Sequence, residues 1–566
     1  YMTYQADTTL VPGGHISLRL IPVPGLPTAA QRAYYVGDAS VYLFGKNGEA
    51  PNDSILYKNL NIHYYDKLRV RPNMLYRWMN YQQFVRSKQM RASNRTRLYS
   101  QYRQEQVQEK LSQLGIFSYL DMQYAPRDTT AACDTLDVTM QATFAKPLDA
   151  ELELNVVTKS NDQTGPGASF GVTRNNVFGG GESWNVKLKG SYEWQTGGGE
   201  KSSLMNSWEM GLSTSLTFPR VVFPHLGKRE FDFPATTTFR LYINQLNRAK
   251  YYKLLSFGGN ATYDFQPSRT SRHSITPFKL TFNVLQHQSE DFKEIAEANP
   301  ALYVSLRNQF IPAMEYTYTY DNASVRRIKN PIWWQSTVTS AGNITSLIYR
   351  AFGKPFNEED KSLLGAPFAQ FVKLNTELRH LWNIDKNNAI ASRMAVGALF
   401  TYGNATIAPY SEQFYVGGAN SIRAFTVRSV GPGGYHPEEG KYSYLDQTGT
   451  FRFEANVEYR LRIFKSFWGA TFLDAGNVWL LRKDRKLLAD GKEARPNSQL
   501  RLKTFPKQIA LGTGVGIRYD MDILVFRLDF GIPLHLPYDT DRSGYYNVTG
   551  AFFKNLGIHF AIGYPF

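Results

Sequence analysis

The residue types that most often carry chemistry are thinly spread in this chain. Cys133 is the single cysteine, so neither a disulfide framework nor a thiolate metal cluster is open to it. The nine histidines are scattered from His15 to His559 with no H-E-x-x-H or similar ligand spacing, and no metal site is expected. Gly167-Ala168-Ser169-Phe170-Gly171 has the spacing of a nucleophile elbow. That pattern works only at a strand-to-helix turn with an acid and a histidine brought to the serine. Here it lies in a hairpin strand with no helix after it and is read as coincidence. The chain is therefore expected not to be an enzyme and to need no cofactor.

Three ordered segments remain. Gly417-Gly418-Ala419-Asn420-Ser421-Ile422-Arg423-Ala424-Phe425 places one arginine in a long glycine-bearing connection. Asn456-Val457-Glu458-Tyr459 and Phe472-Leu473-Asp474-Ala475-Gly476 follow, each with one carboxylate in a strand-like stretch. A guanidinium held where water is restricted needs a bidentate carboxylate partner.

The elements that would position them read as strands. At 566 residues the chain is too long for one ordinary soluble domain. It is rich in aromatics, with 36 Tyr, 36 Phe and 9 Trp, yet its mean hydropathy is only −0.39. That pairing suits a barrel whose alternate residues face lipid and a polar lumen. No run of about 18 apolar residues is present, so transmembrane helices are excluded as the main architecture. A closed barrel is then the remaining way to satisfy every backbone hydrogen bond in a bilayer. The net charge of +16 is spread along the sequence rather than clustered, which argues against a nucleic-acid partner. It suits phosphate-bearing lipids instead.

From Asp149 onward the pattern has period two. In Phe451 to Ile463 the odd positions Phe451, Phe453, Ala455, Val457, Tyr459, Leu461 and Ile463 share one face, and Arg452, Glu454, Asn456, Glu458, Arg460 and Arg462 the other. A soluble sandwich would bury the first set against a second sheet; a membrane barrel would turn it to lipid. The same alternation recurs at Trp184 to Trp194, Thr238 to Asn247, Met314 to Tyr320, Val372 to Arg379, Ile509 to Tyr519 and Leu524 to Ile532, giving about sixteen strands. Long connections near 289–308, 344–366, 403–450 and 480–507 fall at alternate hairpins. The closing segment Gly557 to Phe566 sets Ile558, Phe560, Ile562, Tyr564 and Phe566 on one face.

Before about Pro147 the texture is mixed. His15 to Ile21 and Ala33 to Phe44 read as strands, Pro72 opens a short helix through Asn80, and Gln104 to Leu114 carries apolar residues at helical spacing. Phe117 to Tyr124 and Thr135 to Thr143 return to strand. Residues 46–57 read as an insertion. Tyr1 is preceded by no basic-then-apolar leader, so any signal peptide is expected to have been removed or to lie outside this sequence.

These segments, in this order, resemble the BamA/TamA superfamily of outer-membrane assembly proteins. Ile422-Arg423-Ala424-Phe425 resembles the V/I-R-G-F/Y motif of the sixth extracellular loop, with Ala424 in place of the usual glycine. The segments at Glu458 and Asp474 resemble the acidic motifs of the twelfth and thirteenth strands. Arg174-Asn175-Asn176-Val177-Phe178-Gly179-Gly180-Gly181-Glu182 is similar to an early N-x-F-x-G-G-E turn, and the aromatic terminal segment to the carboxyl-terminal signal of outer-membrane barrels. The strand, helix, helix, strand, strand order resembles a POTRA domain.

The resemblance implies a mainly β protein: an about sixteen-stranded antiparallel transmembrane barrel over 147–566, a POTRA-like α+β periplasmic domain over 31–146, and a remnant of a preceding unit over 1–30. It implies that the loop folds back so that Arg423 meets Glu458 and Asp474. It also implies insertion or translocation of client outer-membrane proteins through a lateral seam. That seam would join the first strand, Glu151 to Thr158, short and with Leu152, Leu154 and Val156 outward, to the last, which ends at Phe566 and where Gly563 and Pro565 weaken the ladder. I-R-A-F with the I-G-Y-P-F ending is most similar to the TamA-like lipoprotein branch of Bacteroidota, and implies a TamB-like partner in the periplasm or inner membrane beside outer-membrane lipid and lipopolysaccharide. A BamA-type core insertase, a two-partner-secretion-like channel and a diffusion channel stay open as alternatives.

Overall fold

The computed structural model describes the chain except residues 1, 8–16, 24, 26–31, 59, 80–97, 129–132, 159–162, 196–206, 224–233, 249–251, 291–292, 294–307, 324–327, 358–360, 364, 405–407, 438–446, 484–492, 494 and 522–523. It divides into two compact units. One comprises chiefly Tyr1–Asp149 with Thr173–Trp184, and the other Ala150–Val172 with most of the chain from Asn185 to Phe566.

In the first unit, β1 (Met2–Asp7) and β2 (Ser17–Pro22) form an antiparallel pair. Of the strand expected from His15, the part from Ser17 on is strand, and His15 and Ile16 lie outside the described residues. A five-stranded sheet follows, built from β3 (Tyr35–Phe44), β4 (Asp53–Tyr57), β5 (Leu60–Tyr64), β6 (Phe117–Pro126) and β7 (Thr135–Phe144) in the order β4-β5-β3-β7-β6. Helices α1 (Pro72–Met79) and α2 (Gln101–Gln113) interrupt it in sequence. Pro72 sits at the first helical position, where its missing N–H costs nothing. Met74, Leu75 and Met79 of α1 and Val107 and Leu111 of α2 are buried against Val41, Leu43, Leu60, Ile62 and Met140 of the sheet.

The stretch read as an insertion is half strand. β4 pairs antiparallel with β5, and β5 pairs parallel with β3, so this hairpin widens the sheet. Five-residue strands are too short for alternation to declare itself. β4 is also an edge strand with Ile55 and Leu56 exposed, so its pattern lacks a buried face to mark it.

The second architecture is one antiparallel sheet of sixteen strands. Its first seven are β8 (Leu148–Thr158), β9 (Gln163–Asn175), β10 (Ser183–Gln195), β11 (Ser207–Phe218), β12 (Ala235–Arg248), β13 (Tyr252–Phe265) and β14 (Ser271–Gln288). β15 (Gln309–Asp321) and β16 (Ile332–Ala341) lead to helix α3 (Asn343–Ala351) and a two-residue pair, β17 (Ser362–Leu363) and β18 (Ala366–Pro367). The sheet resumes with β19 (Phe371–Asn383), β20 (Asn388–Thr401), β21 (Phe451–Phe464), β22 (Phe467–Trp479), β23 (Ala510–Asp520), β24 (Val525–His535) and β25 (Gly557–Ile562). Counted from β8, β21 is the twelfth strand and β22 the thirteenth.

Each strand sits beside its sequence neighbours in the sheet. Leu241, Leu374, Leu378, Val457, Leu461, Val515, Ile517, Ile558 and Phe560 are exposed, while Arg423, Glu454, Glu458, Asp474, Arg518 and Asp529 are buried. A soluble protein has the opposite arrangement. Apolar outside and charged inside is what a lipid-embedded barrel requires. Of the long connections, 403–450 and 480–507 fall after β20 and β22 as read, 344–366 holds α3, and most of 289–308 lies outside the described residues. Residues 536–556, between β24 and β25, form a further long connection that the alternation did not flag.

Candidate functional site

The connection between β20 and β21 brings Arg423 into the interior. It is carried there by its own apolar residues: Phe414, Val416, Ile422, Phe425 and Val430 are buried with Leu399, Val478 and Ala510 of the strands. A tight turn presents the arginine, with the Gly418 N–H donating to the Phe425 carbonyl at 2.7 Å and the Phe425 N–H to the Ile422 carbonyl at 3.1 Å.

Arg423 is fully buried. Its Nε donates to Asp474 Oδ2 at 2.8 Å and its Nη2 to Asp474 Oδ1 at 2.9 Å, a two-pronged fit, and its backbone N–H reaches Asp474 Oδ2 at 3.1 Å. Nη1 donates to Glu458 Oε2 at 2.5 Å. The guanidinium carbon lies 3.5 Å from the ring centre of Phe472, so one face of the cation is covered by an aromatic ring. Strand alternation is the cause of this convergence: Glu458 and Asp474 both point inward from neighbouring strands of opposite direction.

The cluster extends further than the three residues sequence singled out. Glu458 also accepts from Arg460 Nε at 2.8 Å and Arg518 Nη2 at 3.0 Å, so one carboxylate serves three guanidinium groups. Arg518 Nη1 stands 2.6 Å from Asp529 Oδ1, a close charge contact that departs from hydrogen-bond alignment. Arg527 on the same strand as Asp529 donates to Asn420 Oδ1 at 2.6 Å and to the Ala419 carbonyl at 3.0 Å. Asn456 Nδ2 bridges the Ser421 carbonyl and Asp474 Oδ1, at 2.8 and 2.9 Å. Ser421 Oγ donates to Glu454 Oε2, which Arg393 Nη1 also approaches at 3.3 Å. Buried charges are tolerable only when paired and hydrogen-bonded on this scale. The loop is thus held by strands β20 to β24 together.

His559 adds the last strand. Its Nε2 is 2.7 Å from the Arg423 carbonyl oxygen, and its side chain is buried on β25 between exposed Ile558 and Phe560. Arg518, Arg527, Asp529 and His559 were missed as site residues. The available signal was charge or imidazole at alternate positions of strands whose other face is apolar, but the sequence does not reveal which lumen positions meet a given loop.

Ala424, where the resembling motif has glycine, still approaches the barrel wall closely. A Cβ on Gly512 of β23 would lie 2.4 Å from the Ala424 Cβ, so the strand supplies the space that the loop residue does not.

The terminal region differs from expectation. β8 has eleven residues and is not short; β25 has six, with pairs from Phe526↔Ile562 to Gly531↔Gly557. Gly563, Pro565 and Phe566 therefore lie beyond the last strand. Gly563 takes φ +88°, which turns the backbone out of the ladder, and its N–H makes a closing bond to the Val525 carbonyl at 2.7 Å. The residues after it fold over Arg460, whose guanidinium carbon is 4.1 Å from the ring centre of Tyr564. Leu152 and Leu154 are exposed on β8, and Val156 belongs to the same strand.

Of the segment Arg174 to Glu182, the first two residues end β9 and the rest, from Asn176, form the β9–β10 turn. Asn176 Oδ1 accepts from the Gly181 N–H at 3.0 Å and Glu182 Oε2 from the Gly180 N–H at 2.8 Å, while Asn176 Nδ2 reaches the Arg69 carbonyl at 2.8 Å within the first unit. Ser169 lies within β9 and donates to Glu153 at 3.1 Å.

A sixteen-stranded barrel with an inward-folded arginine loop defines a class of outer-membrane protein. Residues 176–566 match the Omp85 superfamily domain, and the chain belongs to that superfamily, whose members insert proteins into the outer membrane or secrete them across it. Its fold is similar to that of BamA from Haemophilus ducreyi lacking POTRA domains 1-3, with a TM-score of 0.55 at 12% identity, over 99% of this chain and 89% of that one. CdiB from Acinetobacter baumannii gives 0.45 at 10% identity over 95% of this chain and 75% of that one. CdiB from Escherichia coli gives 0.41 at 12% over 98% and 92%.

Proposed function

We propose that this chain is an assembly factor that inserts client proteins into the outer membrane, or translocates them, through a lateral seam between β8 and β25. The observation that carries this reading is the chain of contacts from the loop to the last strand: Asp474 and Glu458 hold Arg423, and the Arg423 carbonyl holds His559 of β25. A short last strand, latched from inside by a loop, is an edge that can be released to template a client strand. Arg423, Glu458 and Asp474, with Ile422, Ala424 and Phe425, form the latch; Leu152, Leu154 and Val156 lie on the first seam strand.

Residues 31–146 act in this reading as a POTRA-like domain in the periplasm, after a remnant of a preceding unit over 1–30. Ala424 in the loop motif and the aromatic closing segment favour the TamA-like lipoprotein branch, with a TamB-like partner, over a BamA-type core insertase. A secretion or diffusion channel is the second reading, favoured by the charged lumen.

The test is a cysteine pair locking β8 to β25 in a Cys133→Ser background. Loss of client-barrel assembly under oxidation, restored by reductant, is the expected result. Full assembly in the cross-linked protein would overturn the gate and favour the channel.

A further inference from the structure

Helix α3 follows β16 directly and is amphipathic in the inverted sense. Its buried residues, Thr345 and Ser346, are polar, and Asn343 and Tyr349 are half-buried. Ser346 Oγ donates to Gln370 at 3.0 Å and accepts from buried Lys361 Nζ at 3.1 Å. Asn343 Nδ2 donates to Ser340 Oγ at 2.8 Å, and Asn343 Oδ1 accepts from the Tyr402 hydroxyl at 2.9 Å. Asn343, Ser346 and Tyr349, whose ring meets Phe368, recur at i, i+3 and i+6, so they fix one face of the helix to the protein. The other face holds Ile344, Leu347 and Ile348, with Phe352 one residue past the end. They are 47, 54, 53 and 85% exposed.

A surface helix in water turns its apolar stripe inward. Here that stripe is turned away from the fold by a rigid set of polar contacts. The surroundings indicate what covers it. The outward residues of β16, Trp334 and Val338, are exposed, as are Leu374 and Leu378 of neighbouring β19. The exposed band reaches the rim where α3 begins: Met314 pairs with Ser340, and Phe400 with Val372. The exposed apolar band of β15, β16, β19 and β20 therefore runs up to the rim from which α3 starts. No acidic residue lies within the helix, and Arg350 and Lys354 at its end are exposed.

We propose that α3 is an interfacial anchor. Ile344, Leu347, Ile348 and Phe352 lie among the acyl chains of the outer leaflet, and Arg350 and Lys354 sit at the level of the lipid phosphates. The anchor fixes the rim of the barrel at β16 and β19 to the lipid surface. The leaflet assignment rests on the proposed function: with residues 31–146 in the periplasm, β8 starts at the periplasmic end and antiparallel alternation puts the end of β16, the ninth strand, at the outer one.

The experiment is spin-label accessibility on the full chain in phosphatidylethanolamine and phosphatidylglycerol liposomes. In the Cys133→Ser background, Leu347→Cys and Ile348→Cys are labelled, with Leu374→Cys as the lipid-facing reference and Leu502→Cys, which is 90% exposed in the 480–509 connection, as the aqueous one. Collision with oxygen severalfold above collision with a water-soluble nickel chelate, as at Leu374→Cys, is the expected result at both helix positions. Dominance of the nickel chelate would place the face in water. Low collision with both reagents would mean coverage by protein, such as a second copy. Either outcome overturns the proposal. Labelling of Leu502→Cys on intact cells with an impermeant maleimide reports sidedness separately, so failure there removes the leaflet assignment and leaves the lipid contact to be judged by the collision data.

Discussion

The imidazole Nε2 of His559 lies 2.7 Å from the carbonyl oxygen of Arg423, joining the final strand to the residue that pins the loop. Both partners are buried, so the bond has little competition from water. Its geometry requires Nε2 to donate, because the carbonyl can only accept.

His559→Ala should leave that carbonyl unsatisfied at a cost of about 1–3 kcal/mol, the usual penalty for an orphaned buried acceptor. We expect earlier unfolding in denaturant and faster exchange of the β25 amides, with His559→Gln recovering part of both. Identical amide protection in His559→Ala and the parent protein would show that the contact does not hold the strand.

Glu458 and Asp474 should not be equivalent. Asp474 faces one guanidinium with two prongs, and neutralising it leaves Arg423 still beside Glu458. Glu458 serves Arg423, Arg460 and Arg518 at once, and its neutralisation takes a counter-charge from all three, although Arg423 keeps Asp474 and Arg518 keeps Asp529. Glu458→Gln is therefore expected to destabilise the barrel more than Asp474→Asn, with a coupling to Arg423 above about 1 kcal/mol in a double-mutant cycle. Equal effects, or additivity with Arg423→Ala, would contradict the shared-acceptor arrangement.

Period-two alternation made the barrel legible because each strand spans two chemically opposite environments, so Phe451 to Ile463 declares both faces within thirteen positions. The loop arginine and its two acids were legible because they are local motifs in order. What escaped was set by non-local geometry. Arg518, Asp529 and His559 read as ordinary inward positions, and only the fold decides that they meet one loop. The β4–β5 hairpin escaped because five-residue strands carry too few alternations. The last strand was read as too long because apolar alternation continues through Tyr564 and Phe566, whereas Gly563 turns the backbone out first.

The amino-terminal sheet should respond to acid through Arg127. Its guanidinium donates to Asp137 at 2.7 Å and to Asp38 at 2.7 Å. The hydrogen bond from Arg127 holds the Asp137 carboxyl below its ordinary value. A depressed folded-state value contributes stability above the unfolded value, near 4, and that contribution is lost as pH falls through the folded one. The domain should therefore lose stability as pH drops below about 4, and Arg127→Ala should flatten this dependence. The effect should be small because both side chains are partly exposed. A mutant with the same acid profile would assign the dependence to other groups.

Arg423→Ala tests whether the loop depends on its arginine. Removing the side chain leaves Asp474 with Asn456 as its remaining close side-chain donor among the described residues, while Glu458 keeps Arg460 and Arg518. The penalty therefore falls mainly on one buried carboxylate and should be about 3 kcal/mol, the scale for breaking a buried ion pair. The apolar contacts of Ile422 and Phe425 oppose release of the loop, but they bind it without fixing its register. We expect faster proteolysis within 403–450 and higher ion conductance across planar bilayers, with the barrel still folded by heat-modifiable mobility. Arg423→Lys should fall between, since an ammonium keeps the charge and loses the two-pronged fit. Conductance and protease resistance unchanged in Arg423→Ala would mean that apolar packing alone holds the loop, and the link from Asp474 through Arg423 to His559 could not be the latch.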